Sequence, residues 1–142
     1  MRTMGSRRKG REAALRILYF MDVSNVSGTQ AIKSYWGHLV GDSEPSEQVD
    51  FANQLVRAYA DHEDEVNEII RSSSHHWRLE RMPIVDRNVL RVAIVELREM
   101  GDIPKRVTLN EAVELAKRFG SEGSGSFVNG VLDRIATELG KS

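Results

Sequence analysis

One segment, residues 83–101, limits the folds open to this chain more than any other. Proline suits the first turn of a helix and glycine its end. The apolar positions between them are Ile84, Val85, Val89, Leu90, Val92, Ala93, Ile94, Val95 and Leu97. They surround most of a helix instead of forming one stripe, which is typical of a helix buried among others. The segment therefore predicts a central helix in a helical core.

The rest of the chain is predicted to be helical as well. Apolar residues recur at helical spacing over residues 8–23 and 29–40, and a third helix, capped by Ser46 and reaching Ile70, is predicted to be the longest. The alternation of apolar and polar residues that marks strands does not continue for more than a few residues anywhere in the chain. An all-α bundle is the fold class that this pattern favours.

Two further helices are predicted around a turn of small residues, SEGSGS, at residues 121–126. Thr108 and Glu111 form a capping box that predicts the start of the first, and Gly120 suits a left-handed residue at its end. The second carries an apolar stripe from Val128, with Phe127 just ahead of it. A core does not require such a turn, and it indicates a binding surface.

Length and composition narrow the class of protein. The 142 residues fit one domain and include no cysteine, so disulfides, thiolate catalysis and cysteine metal sites are excluded. No apolar run approaches the roughly 18 residues of a spanning helix, and basic residues at the start precede no signal-peptide core. No catalytic motif is present. We expect a cytoplasmic protein without cofactor, metal, enzymatic activity or membrane contact.

Charge is strongly segregated along the chain although the net charge is only −1. Residues 1–16 contain six arginines and lysines against one glutamate, whereas residues 42–68 contain nine acidic residues against Arg57. Such segregation favours oriented docking on a polyanion. Basic side chains in the segment RRKGR can neutralise phosphates and stack on the bases of single-stranded RNA. A merely solvated end is the alternative.

Three segments resemble the NusB family of bacterial transcription antitermination factors in the same order. They are SRRKGREAALRILYFMD, VDRNVLRVAIVELREMGDIPKRVTLNEAVELAKRF and, overlapping its end, AVELAKRFGSEGSGSFVNGVLDRI. The resemblance implies an all-α domain over residues 1–142, with about seven helices in two packed helical subdomains. We expect a basic segment at residues 1–11, an N-terminal helical part over about residues 8–72 and a C-terminal part over about residues 75–140.

The resemblance also implies an RNA surface. The family's arginine-rich N-terminus contacts single-stranded boxA RNA, and its counterpart of Phe127 lies at the RNA surface. In this sequence Gly123 stands where an aspartate is common and Ser126 where a lysine is common, so the expected RNA contact from this loop is either weaker or reliant on backbone amides. The expected RNA-binding residues are Arg7, Arg8, Lys9, Arg11, Gly123, Ser126 and Phe127. Arg11 could instead pair within its own helix, and Phe127 could be a core residue of the last helix.

Partner contacts follow from the same resemblance. Tyr19 and Asp86 are expected to contact ribosomal protein NusE, although Asp86 could equally be a helix cap. The expected function is antitermination of ribosomal RNA operons, with NusE, boxA RNA and the RNA polymerase elongation complex with other Nus factors as partners. The alternatives are a protein-interaction adaptor or homodimer without RNA binding, and an RNA methyltransferase, which would need a catalytic domain and a cysteine.

Other conspicuous residues are expected to be structural. Adjacent helical histidines point about 100° apart, so His75 and His76 are interpreted as surface residues and not as metal ligands. Trp36 and Trp77 are interpreted as core anchors. Gly130 costs about 1 kcal/mol relative to alanine inside a helix, and its presence predicts close packing against a neighbour such as Ala93.

Overall fold

The computed structural model describes residues 4–40, 46–74 and 78–140. Its α-helices are α1 (Met4–Ser24), α2 (Gly28–Ser34), α3 (Ser46–Asp61), α4 (Glu63–Ser73), α5 (Ile84–Glu99), α6 (Lys105–Phe119) and α7 (Ser124–Glu138). A π-helical turn, Tyr35–Val40, follows α2, and a 3₁₀ turn, Leu79–Arg81, precedes α5. No strand occurs among the described residues. The predicted all-α fold of about seven helices is confirmed.

The chain divides into two compact units, Met1–Asp61 and His62–Ser142. The boundary between the two units falls inside the segment that was predicted to form one long third helix. The prediction of a single helix is wrong, because α3 and α4 are separate helices. Apolar spacing missed the break because Tyr59 and Val66, on either side of it, are two helical turns apart and keep the stripe in register. Three acidic residues in the first turn of α4 favour a new start there. The longest helix is α1, with 21 residues.

In the first unit, α1 and α3 pack along each other and α2 contacts both. Ala14 and Leu18 on α1 are buried, as their spacing predicted. The two longer helices approach closely at Gly10, where an ideal Cβ would lie 2.9 Å from Phe51 Cδ2 and 3.2 Å from the carbonyl oxygen of Gln48. Because Gly10 has no side chain, the basic first turns of α1 can pack closely against α3.

In the second unit, α5 is the central helix, and α4, α6 and α7 all contact it. Eleven of its 16 residues are buried, which confirms the predicted central helix. Polar side chains on α5 link it to its neighbours. The buried Arg91 donates to Asn67 Oδ1 on α4 at 3.0 Å, and the buried Glu96 carboxylate accepts from the Thr108 hydroxyl on α6. These contacts fix α4 and α6 against α5.

The start of α6 differs from the prediction. The helix begins at Lys105 directly after Pro104, whose fixed φ suits a helix start, and Thr108 therefore lies inside the helix. The predicted capping box of Thr108 and Glu111 is wrong, because the Thr108 hydroxyl bonds to the buried Glu96 instead of capping its own helix. The same sequence pattern fits a cap and a helix interior, and only the tertiary partner distinguishes them.

The end of α6 also differs from the prediction. Gly120 has extended backbone, with φ −95° and ψ −164°, and is not left-handed. Space explains the glycine: an ideal Cβ on Gly120 would lie 2.6 Å from Ser124 Oγ and 2.7 Å from the Ala116 carbonyl oxygen. The chain therefore passes close to the first turn of α7 at this point.

Gly130 on α7 has no packing reason in the described structure. Its predicted close contact with Ala93 is wrong, since Gly130 is exposed and no described atom lies within 4 Å of an ideal Cβ there. We expect Gly130→Ala to raise the free energy of unfolding by about 1 kcal/mol, because alanine has the higher helix propensity. Urea denaturation followed by circular dichroism measures the change, and a less stable variant would contradict the expectation.

The other residues singled out in the sequence do not form a metal site or a membrane span within the described ranges. Within residues 4–40, 46–74 and 78–140, no group of three or more His, Cys, Asp or Glu side chains could hold a metal ion. In the same ranges, no helix is long and apolar enough to cross a membrane. His75, His76 and Trp77 lie outside the described residues. Trp36 is half-buried, and its indole N–H donates to Asn53 Oδ1 at 2.8 Å.

Candidate nucleic-acid interface

The four basic residues of the segment RRKGR lie in the first turns of α1, and two of them are engaged in packing. Arg7 and Arg11 lie one turn apart, and each places its guanidinium over the ring of Phe51 on α3, with Cζ 5.4 Å and 5.5 Å from the ring centroid. Cation–π contacts of this kind stabilise the docking of α1 on α3. Arg7 is half-buried and Arg11 is only 3% exposed.

The charge offered to solvent at this end differs from the prediction. Arg8 and Lys9 are exposed. The burial of Arg11 is at odds with its predicted contact to RNA, because a guanidinium packed on Phe51 leaves little surface for a phosphate. Within the segment RRKGR, the positive charge that a polyanion could approach is therefore that of Arg8 and Lys9, with a partial contribution from the half-buried Arg7.

The second group of predicted RNA-binding residues lies at the start of α7. The helix begins at Ser124, which places Phe127 in its first turn and not ahead of it as predicted. The Phe127 N–H donates to the Gly123 carbonyl oxygen at 3.0 Å, the Phe127 side chain is half-buried, and Ser126 is exposed. The local fold thus brings Gly123, Ser126 and Phe127 together within one helical turn.

Gly123 sets the entry of the chain into α7. Its φ of +92° and ψ of −16° are left-handed, a conformation that costs most other residues about 1–2 kcal/mol. No described atom lies within 4 Å of an ideal Cβ, so the backbone conformation and not space selects glycine. With glycine at this position no side chain caps α7, and the Ser124 and Phe127 N–H groups donate instead to the carbonyl oxygens of Ser121 and Gly123.

A lysine from the neighbouring helix lies over the same turn. An ideal Cβ on Gly125 would lie 3.1 Å from Lys117 Cγ and 3.5 Å from Lys117 Cε, the carbon that carries the ammonium group. One positive charge is therefore held near the first turn of α7, which contains Ser126. Sequence reasoning missed this residue because Lys117 suits the C-terminal end of α6 equally well.

The start of α7 is tied to the central helix by a buried hydrogen bond. The Ser124 hydroxyl donates to Asp86 Oδ1 on α5 at 2.7 Å, and it accepts from the Ser121 N–H at 3.1 Å. Asp86 lies in the first turn of α5, as predicted, but it is only 4% exposed, which is at odds with a direct contact to a protein partner. Sequence reasoning had no signal for this pair, because its members are 38 residues apart.

The other predicted partner contact, Tyr19, is exposed on α1. It retains 41% of its surface, and Val23, one turn further along, retains 57%. Residues four apart are neighbours on a helix, and neighbouring exposed apolar groups are typical of protein interaction sites. Val23 was not predicted, although its spacing from Tyr19 could have indicated it. The two residues form an exposed apolar pair on α1.

Comparison with known proteins identifies the family. The model of the NusB family matches residues 8–137. A transcription antitermination protein NusB from Myxococcus xanthus is 46% identical over 139 residues, covering 97% of this chain and 99% of its own. Another, from Sorangium cellulosum, is 48% identical over 138 residues, covering 97% of this chain and 96% of its own. The chain belongs to the NusB family.

Solved structures of NusB proteins share the fold. A NusB structure from T. maritima is 35% identical, with a TM-score of 0.86 over 97% of this chain and 94% of that one. A structure of NusB and NusE in complex with dsRNA is 26% identical, with a TM-score of 0.84 over 96% of this chain and 99% of that one. The predicted membership of the NusB family, whose members are non-enzymatic antitermination factors, is confirmed.

Proposed function

We propose that the protein binds single-stranded boxA-type RNA together with ribosomal protein NusE and supports antitermination of ribosomal RNA operons. In this role it holds nascent RNA to the elongating RNA polymerase alongside other Nus factors. The observation that supports the proposal most directly is the cluster of Gly123, Ser126 and Phe127 in one turn, with Lys117 beside it. Because the relatives are bacterial proteins of transcription, we infer a cytoplasmic location.

The chemistry of the start of α7 suits a single strand. Phe127 is half-buried, so its ring is held in place and still offers surface on which a base can stack. Amides in the first turn of a helix attract phosphate oxygens, and the Lys117 ammonium adds a positive charge nearby. On α1, the exposed Arg8 and Lys9 supply further charge that any RNA sequence would attract. Stacking and base-edge contacts would then provide the sequence preference.

We propose that NusE binds the exposed apolar pair Tyr19 and Val23 on α1. A family member has been solved with NusE, and large apolar side chains exposed on a helix are suitable anchors for a protein partner. We leave Asp86 out of this proposed surface, because its side chain is only 4% exposed.

The double substitution Tyr19→Ala and Val23→Ala is expected to weaken NusE binding about tenfold or more, because interface anchors commonly contribute over 1 kcal/mol each. Affinity for RNA alone should stay unchanged. Calorimetric titration with purified NusE measures the effect, and Leu139→Ala, which truncates another exposed apolar residue at 38% exposure, is the matched control. Equal NusE affinities for wild type and the double variant would remove α1 from the proposed interface.

One observation favours a second candidate, a helical adaptor or homodimer that does not bind RNA. Arg7 and Arg11 have a packing role on Phe51, which accounts for part of the basic segment without any nucleic acid. This candidate predicts no RNA binding even at low salt, where electrostatic attraction is strongest.

Fluorescence anisotropy separates the two candidates. A labelled boxA-type strand, a scrambled strand and a duplex of the boxA sequence are titrated with the protein, with and without NusE, over a series of salt concentrations. Preference for the boxA-type strand that increases with NusE supports the proposal. Equal binding of all three RNAs contradicts the proposed preference for boxA, and absence of binding even at low salt contradicts the proposal and supports the adaptor.

A further inference from the structure

Asp86 and Ser124 form a buried polar contact that the proposed RNA surface does not use directly. Their exposed fractions are 4% and 2%, and the Ser124 hydroxyl donates to Asp86 Oδ1 at 2.7 Å. Breaking such a bond leaves a buried polar group without its partner, which is costly. The first turn of α7 is therefore held to the first turn of α5 at one defined point.

The Ser124 oxygen also holds the loop that precedes α7. It accepts from the Ser121 N–H at 3.1 Å, while the Ser124 N–H donates to the Ser121 carbonyl oxygen at 3.0 Å. Gly120 lies against the same side chain, since an ideal Cβ there would be 2.8 Å from Ser124 Cβ. One hydroxyl thus links the loop and the start of α7 to the carboxylate of Asp86, with the end of α6 packed closely against the same side chain.

We propose that Asp86 is a positioning residue for RNA binding, acting through Ser124 on the turn that carries Gly123, Ser126 and Phe127. The inference depends on the proposed binding of RNA by this turn. Phe127 is three residues after Ser124, so a rotation of the first turn about its axis would move the ring directly. Stacking on a base requires the ring at a fixed place and angle, and Asp86 provides that restraint from below the surface.

The sign of the expected effect separates this role from simple electrostatics. Asp86→Ala removes a negative charge, and charge removal alone would strengthen binding to a polyanion. Loss of positioning would weaken it. We expect both Asp86→Ala and Ser124→Ala to weaken binding of the boxA-type strand about tenfold. The double variant should bind no more weakly than Ser124→Ala alone, because that substitution already breaks the bond to Asp86. Glu114→Ala, which removes an exposed carboxylate from α6, is the charge control and should not weaken binding.

The decisive comparison repeats these substitutions in a Phe127→Ala background. If Asp86 and Ser124 act by positioning the Phe127 ring, they have no effect on RNA binding once the ring is absent. Asp86→Ala and Ser124→Ala should therefore change RNA affinity by less than twofold in this background. Asp86→Asn, which keeps an acceptor oxygen for the Ser124 hydroxyl, should retain most of the wild-type affinity. Amide hydrogen exchange at Ser121 should accelerate in Ser124→Ala, since that N–H loses its acceptor.

Ser124→Ala removes only a hydroxyl and keeps the test available if Asp86→Ala fails to fold. The inference is overturned if Ser124→Ala binds RNA as well as wild type, or if its effect is as large without Phe127 as with it. It is also overturned if Asp86→Ala loses NusE binding while keeping its affinity for RNA, which would make Asp86 a partner contact. Absence of RNA binding by wild type overturns the proposed function itself, whereas sensitivity to Phe127 alone overturns only the role of Asp86.

Discussion

Phe127→Ala is expected to weaken binding of the boxA-type strand by about 1–3 kcal/mol, roughly five- to 150-fold, the usual contribution of one base stacked on an aromatic ring. The ring is half-buried in the first turn of α7, and the backbone beneath it is fixed by the hydrogen bond to Gly123. Stacking carries no net charge, so the dependence of affinity on salt should not change. Anisotropy titrations at several salt concentrations measure both quantities.

Two controls make this result specific. Tyr19→Ala removes an exposed aromatic ring on α1 and should leave affinity for RNA alone unchanged. Arg8→Ala combined with Lys9→Ala should weaken binding and also make the fall of log affinity with log salt less steep. The slope should change by about 1.4 if each side chain neutralises one phosphate of a single strand. A Phe127→Ala variant with wild-type affinity would return the ring to a purely structural role in α7.

Phe51→Ala is expected to lower the free energy of unfolding by about 3–5 kcal/mol, the range for removing a buried aromatic side chain. The ring is 4% exposed, carries the guanidinium groups of Arg7 and Arg11, and fills the space that Gly10 leaves open. Its loss removes packing and two cation–π contacts at once. Urea denaturation followed by circular dichroism measures the change.

Phe51→Leu separates the two contributions. Leucine keeps most of the apolar contact but offers no ring face. The difference in free energy of unfolding between Phe51→Leu and Phe51→Ala therefore reports the contribution of packing. A cost below 1 kcal/mol for Phe51→Ala would contradict the packing described for this residue. Such a result would also restore Arg7 and Arg11 as candidates for RNA contact, because their guanidinium groups would no longer be needed on α3.

The central helix was the most predictable part of the fold. Apolar side chains on all sides of α5 leave no arrangement except burial, and the structure confirms it. Helix boundaries were less predictable, because periodicity reports the phase of a stripe and not the continuity of the backbone. Tyr59 and Val66 keep that phase across the break between α3 and α4. Thr108 shows the same limit, since its partner Glu96 lies on another helix.

The candidate site was predictable in its residue types and only partly in its geometry. Basic side chains and the aromatic of the last helix could be named from the sequence, but the ring of Phe51 under Arg7 and Arg11 decides which charges reach solvent. The bond between Asp86 and Ser124 lay beyond prediction for a similar reason. A contact between distant positions in one sequence has no local pattern, whereas charge, capping and periodicity do.

Gly120 and Gly130 look alike in the sequence, because each is a glycine in the helical C-terminal part of the chain. Gly120 follows α6, and Gly130 lies within α7. Selection for folded protein from a fully randomised library should treat them in opposite ways. At Gly120 an added methyl group would meet Ser124 Oγ at 2.6 Å and a backbone oxygen at 2.7 Å, so glycine alone should survive. At Gly130 nearly every helix-forming residue should be recovered, and the difference in tolerance would record how closely the chain folds back on itself before α7.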